Sequence, residues 1–444
     1  MNLSALQEAR PRRFIVNTVS IFAGETFARL ATSVMALVIA RRFGPVALGE
    51  YGYAVAIGSV LLVIPDLGLH LFAMRELAAN PQQLRRIFWG VHWLKIALAV
   101  LVIVFTLFFG AWGIADDGRR VFFYILASRG LLQTFSQATM AVFKAFERTQ
   151  FVAAQQLASS VIALAWAAAA LWLDAGPAVV VSGLAAGQAA EMLLGWRILG
   201  ARFAPGSPLK PDRKALIAIL AGAVPIGFTA LLAALNLRVD ILVLSLYVPD
   251  HALGQFQAAA WFLIATFLMA SLAMAVVFPK LSRLLERRSL RGRVYVFSLL
   301  KNSLLATAAG SVAVWAAAPV VVRLLFGDDL APAAGILRIL APALPLVFTN
   351  TVLFYVFLAA RRRAVCAGAL TTGVAVGAVL CFALAPRYGA AGCAVADVVR
   401  ELVTSGVYLC FLVKENYLRL PARALLKAVT PSVREWRLLM DDRI

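Results

Sequence analysis

The chain reads as long apolar runs separated by short polar breaks. Windows of about 20 residues, the length a helix needs to cross a bilayer, place apolar segments near 14–40, 51–71, 87–112, 121–143, 151–173 and 178–199. A second set lies near 215–246, 254–278, 296–325, 336–359, 364–384 and 391–413. Within these runs the few polar residues recur at intervals of three and four, the period of one helix face. Only helices satisfy their own backbone in lipid over such lengths. The pattern therefore predicts an all-α, polytopic membrane protein with 12 transmembrane helices.

A stretch rich in Pro, Gly and basic residues, Arg197 to Lys214, divides the chain near its middle. It predicts an amino-terminal lobe over 1–200, a linker over 201–214, a carboxy-terminal lobe over 215–413 and a basic tail over 414–444. A weak internal echo agrees with two pseudo-symmetric six-helix lobes. Ala47-Leu48-Gly49-Glu50-Tyr51 and Ala252-Leu253-Gly254-Gln255-Phe256 each follow a proline at the opening of the second span of a lobe.

Composition fits this picture, with 62% hydrophobic and 14% charged residues. The net charge of +20 would suggest nucleic acid in a soluble chain, but its distribution gives another reason. One set of loops holds Arg10, Arg12, Arg13, Arg75, Arg85, Arg86, Lys144, Arg148, Arg197, Arg202, Lys210, Arg213 and Lys214. The same side continues with Lys280, Arg283, Arg287, Arg288, Arg291, Arg293, Arg361, Arg362, Arg363 and the run from Lys414 to Arg443. The opposite loops hold only Arg41, Arg42, Arg119, Arg120, Arg323 and Arg387. By the positive-inside rule both termini are expected in the cytoplasm, and no nucleic-acid partner is expected. The tail after Lys414 is expected to lie as an amphipathic segment on the anionic inner leaflet.

The first apolar run carries Glu25 and Arg29 and is too long for a signal-peptide core, so it is expected to remain as the first span. Cys366, Cys381, Cys393 and Cys410 all fall in the last two spans without ligand spacing to His, which indicates neither a disulfide framework nor a metal site. No Walker-type glycine loop and no nucleophile–base constellation occurs, so no catalytic residue is assigned. The short outside loops leave no room for the periplasmic site of a polymerase or ligase.

Ionisable groups inside spans cost about 2.5–3.5 kcal/mol each on insertion scales and need a reason to be there. Thr18, Glu25, Arg29 and Thr32 share one face of span one, where Glu25 and Arg29 are spaced either to pair or to wall a water-filled cavity; their depth favours the cavity. Span four presents Arg129, Gln133, Ser136, Gln137 and Met140, with no acid nearby in sequence. In span seven Asn236 and Asp240 share a face and Arg238 points nearly opposite, after a break expected at Pro225. Span twelve aligns Asp397, Arg400, Glu401 and Thr404, either as a salt-bridged seam or as part of an anion site. Asp66 with Ser59 and His70, and Glu191 with Gln188, are further mid-span acids. Lys95, Lys301 and Arg338 are expected to snorkel to span ends. The surplus of deep arginines suits an anionic cargo, because the planar guanidinium fork matches phosphate oxygens in pairs.

Several segments carry a family likeness. Gly24-Glu25 with Arg29, then Ala40-Arg41-Arg42-Phe43-Gly44-Pro45 running into Leu48-Gly49-Glu50-Tyr51, resembles the amino-terminal signature of bacterial polysaccharide (oligosaccharide-lipid) flippases. Asp66-Leu67-Gly68-Leu69, Arg75-Glu76-Leu77, Arg238-Val239-Asp240, Phe278-Pro279-Lys280, Leu325-Phe326-Gly327 and Tyr388-Gly389-Ala390-Ala391-Gly392 are similar to later family segments, in order and over essentially the whole chain. That family belongs to the multidrug/oligosaccharidyl-lipid/polysaccharide exporter superfamily. The resemblance implies two lobes around a central cavity that opens alternately to either side of a bacterial inner membrane. It implies a polyprenyl-diphosphate-linked oligosaccharide moved to the periplasmic leaflet for O-antigen, capsule or exopolysaccharide, beside polymerases and glycosyltransferases. The two additional carboxy-terminal spans of peptidoglycan-precursor flippases have no counterpart here. On this basis Arg29, Arg129, Arg238 and Arg400 are the expected diphosphate and acidic-sugar contacts. Glu25, Glu191, Asp240 and Asp397 are the candidates for H⁺ or Na⁺ coupling, with no other cofactor. The rival of the same fold is a multidrug/cation antiporter, which would want an acid-rich, arginine-poor cavity.

Overall fold

Glycines and prolines decide where the apolar runs bend. The computed structural model describes the backbone of residues 3–209, 212–286 and 290–414, and the side chains of 24–209, 212–285 and 292–414. The side chains of Arg10, Arg12, Arg13, Thr18 and Arg291, and the whole of Lys210, Arg287, Arg288 and the tail beyond Lys414, lie outside what the structure describes. Among the described residues every regular element is helical.

The first helix, α1 (Leu3–Leu61), runs through the first apolar run and into the second, kinked at Gly44 (φ 79°, ψ −170°). The second run then breaks. The single turn α2 (Val63–Asp66) ends at Leu67 in the left-handed region, and Gly68 (φ 78°) opens α3 (Leu69–Ala79). Next come α4 (Leu84–Phe108), α5 (Asp117–Ala145), α6 (Thr149–Trp172), α7 (Pro177–Arg202) and α8 (Arg213–Asn236). Asp116 caps α5 by accepting a hydrogen bond from the Arg119 amide at 2.9 Å.

The remaining helices are α9 (Val239–Leu244), α10 (Asp250–Glu286), α11 (Leu290–Phe326), α12 (Ala333–Leu340), α13 (Ala343–Ala359) and α14 (Arg363–Lys414). A kink at Gly389 (φ 55°, ψ −133°) lets α14 carry the last two apolar runs as one element. Eight of the described helices are long and apolar enough to cross a membrane, or nine if α12 and α13, bent by 47°, form one span. The gap from the twelve expected has physical sources. Gly44 and Gly389 fuse neighbouring runs, and α5 is too rich in Arg, Gln and Lys to pass on hydropathy. Large side chains such as Leu101, Val104, Leu107 and Phe108 on α4 stand exposed, as a lipid-facing surface allows.

The chain forms two compact units, Met1–Arg238 and Val239–Ile444. That boundary falls beyond the 201–214 linker expected to divide the lobes, because the linker and α8 are both bound to the first unit. Arg85, Trp89 and Trp93, one turn apart on α4, donate hydrogen bonds to the backbone carbonyls of Ser207 (3.1 Å), Gly206 (3.2 Å) and Leu209 (2.9 Å). On the other side α8 meets the α2–α3 break. A Cβ on Gly68 would stand 2.6 Å from the Gly227 nitrogen and 2.7 Å from the Ala223 carbonyl, so only glycine fits there.

Within the first unit, α6 and α7 approach closely over small residues. A Cβ on Gly183 would lie 2.9 Å from the Ala163 carbonyl, and one on Gly187 would overlap the Ser159 carbonyl. This is the small-xxx-small device by which membrane helices gain packing without a hydrophobic drive. Gly187→Val is expected to destabilise the protein by about 1–3 kcal/mol through overpacking, measured as a lower unfolding midpoint in detergent. An unchanged midpoint would show that the two helices separate freely.

Candidate functional site

The kinked α1, the helix α3 that follows the break, and helices α5 to α7 line a cavity of about 420 Å³ inside the first unit. Each helix contributes one polar face at a spacing of three or four. From α1 come Glu25, Arg29 and Thr32; from α3, His70 and Met74; from α5, Arg129, Gln133, Gln137 and Lys144; from α6, Gln156 and Ser159; and from α7, Gln188 and Glu191.

The charges do not pair as spacing along the chain suggests. Glu25 faces Lys144 at 3.7 Å across the cavity, instead of pairing with Arg29 one turn away. Among the described residues Arg29 and Arg129 have no ion-pair partner. Arg29 is exposed and Arg129 half-buried, so both guanidinium groups are available to the cavity. Glu191 is buried and held firmly. Its Oε1 accepts from Ser136 Oγ (2.9 Å) and from Gln188 Nε2 (2.8 Å), while Gln155 donates to its backbone carbonyl at 3.0 Å. Gly195 leaves the room this network fills, since a Cβ there would meet Gln155 and Thr139.

Behind His70, which lines the cavity, lies a buried ion pair. Asp66 accepts from Lys95 Nζ on one oxygen (2.5 Å) and contacts His70 Nδ1 with the other (2.5 Å). Lys95 also donates to the Thr134 carbonyl at 2.8 Å and is 0% exposed. The expected snorkelling of Lys95 is therefore overturned. A lysine well inside α4 has no route to a headgroup, and the nearby carboxylate offers what lipid cannot. Arg338, by contrast, lies over the Trp315 ring at 5.4 Å.

Of the expected anion contacts, the structure brings Arg29 and Arg129 onto one cavity, with Glu25 and Glu191. Arg238 is half-buried just beyond the end of α8 and is not among the residues lining the cavity. Arg400 is elsewhere. In the second unit it forms ion pairs with Asp397 (2.9 Å) and Glu401 (3.2 Å) and lies across Gly377 of the same kinked helix. Asn350 donates to both the side chain (2.8 Å) and the carbonyl (3.0 Å) of Glu401, and Ser405 Oγ donates to Asn350 at 2.7 Å. Asp240, on α9, reaches the Asp397 carboxylate. Cavity residues that the sequence did not single out include Met74, Gln156 and Ser159, the latter two on a helix without charges, and Lys144, placed in a loop by hydropathy; His70 was noted only as a neighbour of Asp66.

A multi-pass helical membrane protein that encloses a charged, polar-walled cavity within an apolar helix unit has the build of a transporter. The chain belongs to the family described as polysaccharide biosynthesis protein, which matches residues 14–285, more than half of its length. The resemblance seen in its motifs is thereby confirmed at the level of the family. Its fold is similar to that of the lipid II flippase MurJ in an inward closed conformation, with TM-score 0.72 and 18% identity over 96% of this chain and 92% of that one. It is similar also to an inward-facing multidrug resistance MATE family transporter of the MOP superfamily, at TM-score 0.70 and 13% identity over 92% and 99% of the two chains. The Vibrio cholerae MATE transporter VcmN in its bent form gives TM-score 0.57 and 15% identity over 91% and 98%. At these identities the likeness is one of fold. No curated protein sequence matches the chain. The structural neighbours named here are a flippase and multidrug transporters.

Proposed function

We propose that the protein is a flippase that carries polyprenyl-diphosphate-linked oligosaccharide from the cytoplasmic to the periplasmic leaflet of a bacterial inner membrane. It works by alternating access, with both termini cytoplasmic, and hands its cargo to polysaccharide assembly. The observation that carries this reading is the pair Arg29 and Arg129 on one cavity, two guanidinium groups without carboxylate partners among the described residues, beside the neutral Gln133, Gln137, Gln156, Ser159 and Gln188. Two such forks suit a diphosphate, and neutral amides and hydroxyls suit sugar. The polyprenyl tail stays in lipid. Arg238, expected from sequence alongside them, does not line this cavity. Arg400, expected from sequence in the same set, is read as the cation of the second unit's buried seam.

An inside-negative potential favours outward movement of negative charge by about 2.3 kcal/mol per charge per 100 mV. Glu25, Glu191, Asp240 and Asp397 are the acids through which H⁺ or Na⁺ would couple; flipping indifferent to an imposed ion gradient would exclude that role. The test of the function is mass spectrometry of lipid extracts from a deletion strain and its complemented parent. Polyprenyl-diphosphate oligosaccharide should accumulate on deletion and clear on complementation. An unchanged lipid profile together with new sensitivity to cationic drugs would instead favour an antiporter.

A further inference from the structure

The break between α2 and α3 places an imidazole where it can change the charge of the cavity. Gly68 is wedged against Gly227 and Ala223 of α8, which fixes the break and sets Asp66 and His70 side by side. Broken helices of this kind commonly line binding sites in transporters. Lys95 and Asp66 cancel each other's charge, each fully engaged and buried. The His70 side chain is 30% exposed and lines the cavity. Its Nδ1 faces Asp66, so in the neutral ring the proton belongs on Nδ1 and Nε2 is a bare acceptor.

We propose that His70 is a proton-dependent contact for the cargo: protonated at Nε2, it adds a positive charge to the wall that Arg29 and Arg129 present to the diphosphate. Asp66, with Lys95 behind it, is the positioning residue that holds the ring in this orientation in both states. The inference rests on the flippase reading above.

The other charged groups around this cavity are fixed by what they face. On α1 and α5, Glu25 is answered by Lys144 at 3.7 Å, leaving Arg29 and Arg129. On α7, Glu191 is held by Ser136 and Gln188. His92 lies behind Lys95 on α4, stacked among Phe88, Phe135 and Trp196. Helix α6 contributes Gln156, Ser159 and Ser160, and α8 meets the break with Ala223, Ile226 and Gly227. His70 is thus the cavity side chain whose second ring nitrogen is left to the cargo while its first is held by a carboxylate. By linkage, proton and anion then favour each other's binding.

The test is binding of a short-chain prenyl diphosphoryl hexose to the full-length protein in lipid nanodiscs, followed from pH 5.5 to 8.5. This diester has no phosphate monoester group to titrate in that range, so any slope belongs to the protein. Wild-type affinity is expected to fall on the order of tenfold as pH rises. His70→Gln is expected to bind with a flat profile near the weaker limb, and His70→Asn serves as the second replacement. Arg29→Ala should weaken binding at every pH while keeping the slope. A flat wild-type profile, or a slope that survives in both histidine variants, would overturn the role of His70 and leave the flippase reading intact. No binding by the wild type at any pH would defeat the cargo reading, and this inference with it.

Discussion

Arg400→Leu is expected to destabilise the protein by about 3–5 kcal/mol, the usual cost of removing one partner from a buried ion cluster. Arg400 is 5% exposed and is the cation facing both Asp397 and Glu401, with Asp240 close by. Without it the carboxylates confront one another in a region that water does not reach. Equilibrium unfolding in detergent would read the loss. The second arm is the triple replacement Arg400→Met, Asp397→Asn, Glu401→Gln, which removes the whole cluster. Exchanging an entire buried ion pair for neutral groups is often close to neutral, so most of the stability should return. Transport by the triple variant then separates two roles. Recovery of stability and transport together would mark a structural seam. Recovery of stability alone would keep Asp397 as a coupling residue. An Arg400→Leu protein as stable as wild type would show that the cluster does not hold this unit together.

Two kinds of information in the chain had different fates. Run length and helix-face period were legible: the all-helical membrane fold, and the fact that Arg29 and Arg129 lie on the polar faces of their helices. These depend on local geometry, which spacing along a helix reports directly. Partner choice was not legible. Glu25 and Arg29 have the i,i+4 spacing of a pair within one helix, yet Glu25 faces Lys144 on α5. Lys95 finds Asp66 across the unit. Which charge meets which depends on how neighbouring helices are rotated about their axes, and a single chain's spacing is silent on that. The unit boundary was hidden for a related reason. Composition marks 201–214 as a linker, but Arg85, Trp89 and Trp93 bind it down, and the close fit of Gly68 against α8 holds the following helix to the first unit.

The same contrast separates the arginines by function. Arg400 is satisfied by protein carboxylates, so its loss should be felt in folding; Arg29 and Arg129 have no such partner among the described residues, so theirs should be felt in transport. Replacing either by Ala is expected to weaken cargo binding by roughly 10- to 100-fold, since hydrogen bonds to charged groups contribute about 1.5–3 kcal/mol. The double variant is expected to lose more than either single one. The sum need not be additive, because both groups would serve one ligand on one cavity. Arg→Lys keeps the charge but not the planar fork and should fall between. Membrane insertion and unfolding midpoints should stay near wild type. A sharper consequence concerns voltage. Cavity arginines cancel cargo charge during crossing, and each net negative charge uncovered makes outward movement more favourable by about 2.3 kcal/mol per 100 mV. Flipping by Arg29→Ala or Arg129→Ala in proteoliposomes should therefore be slow without a potential and rise more steeply with an inside-negative one than in wild type. Wild-type rates and voltage dependence in both variants would remove these two arginines from the cargo site.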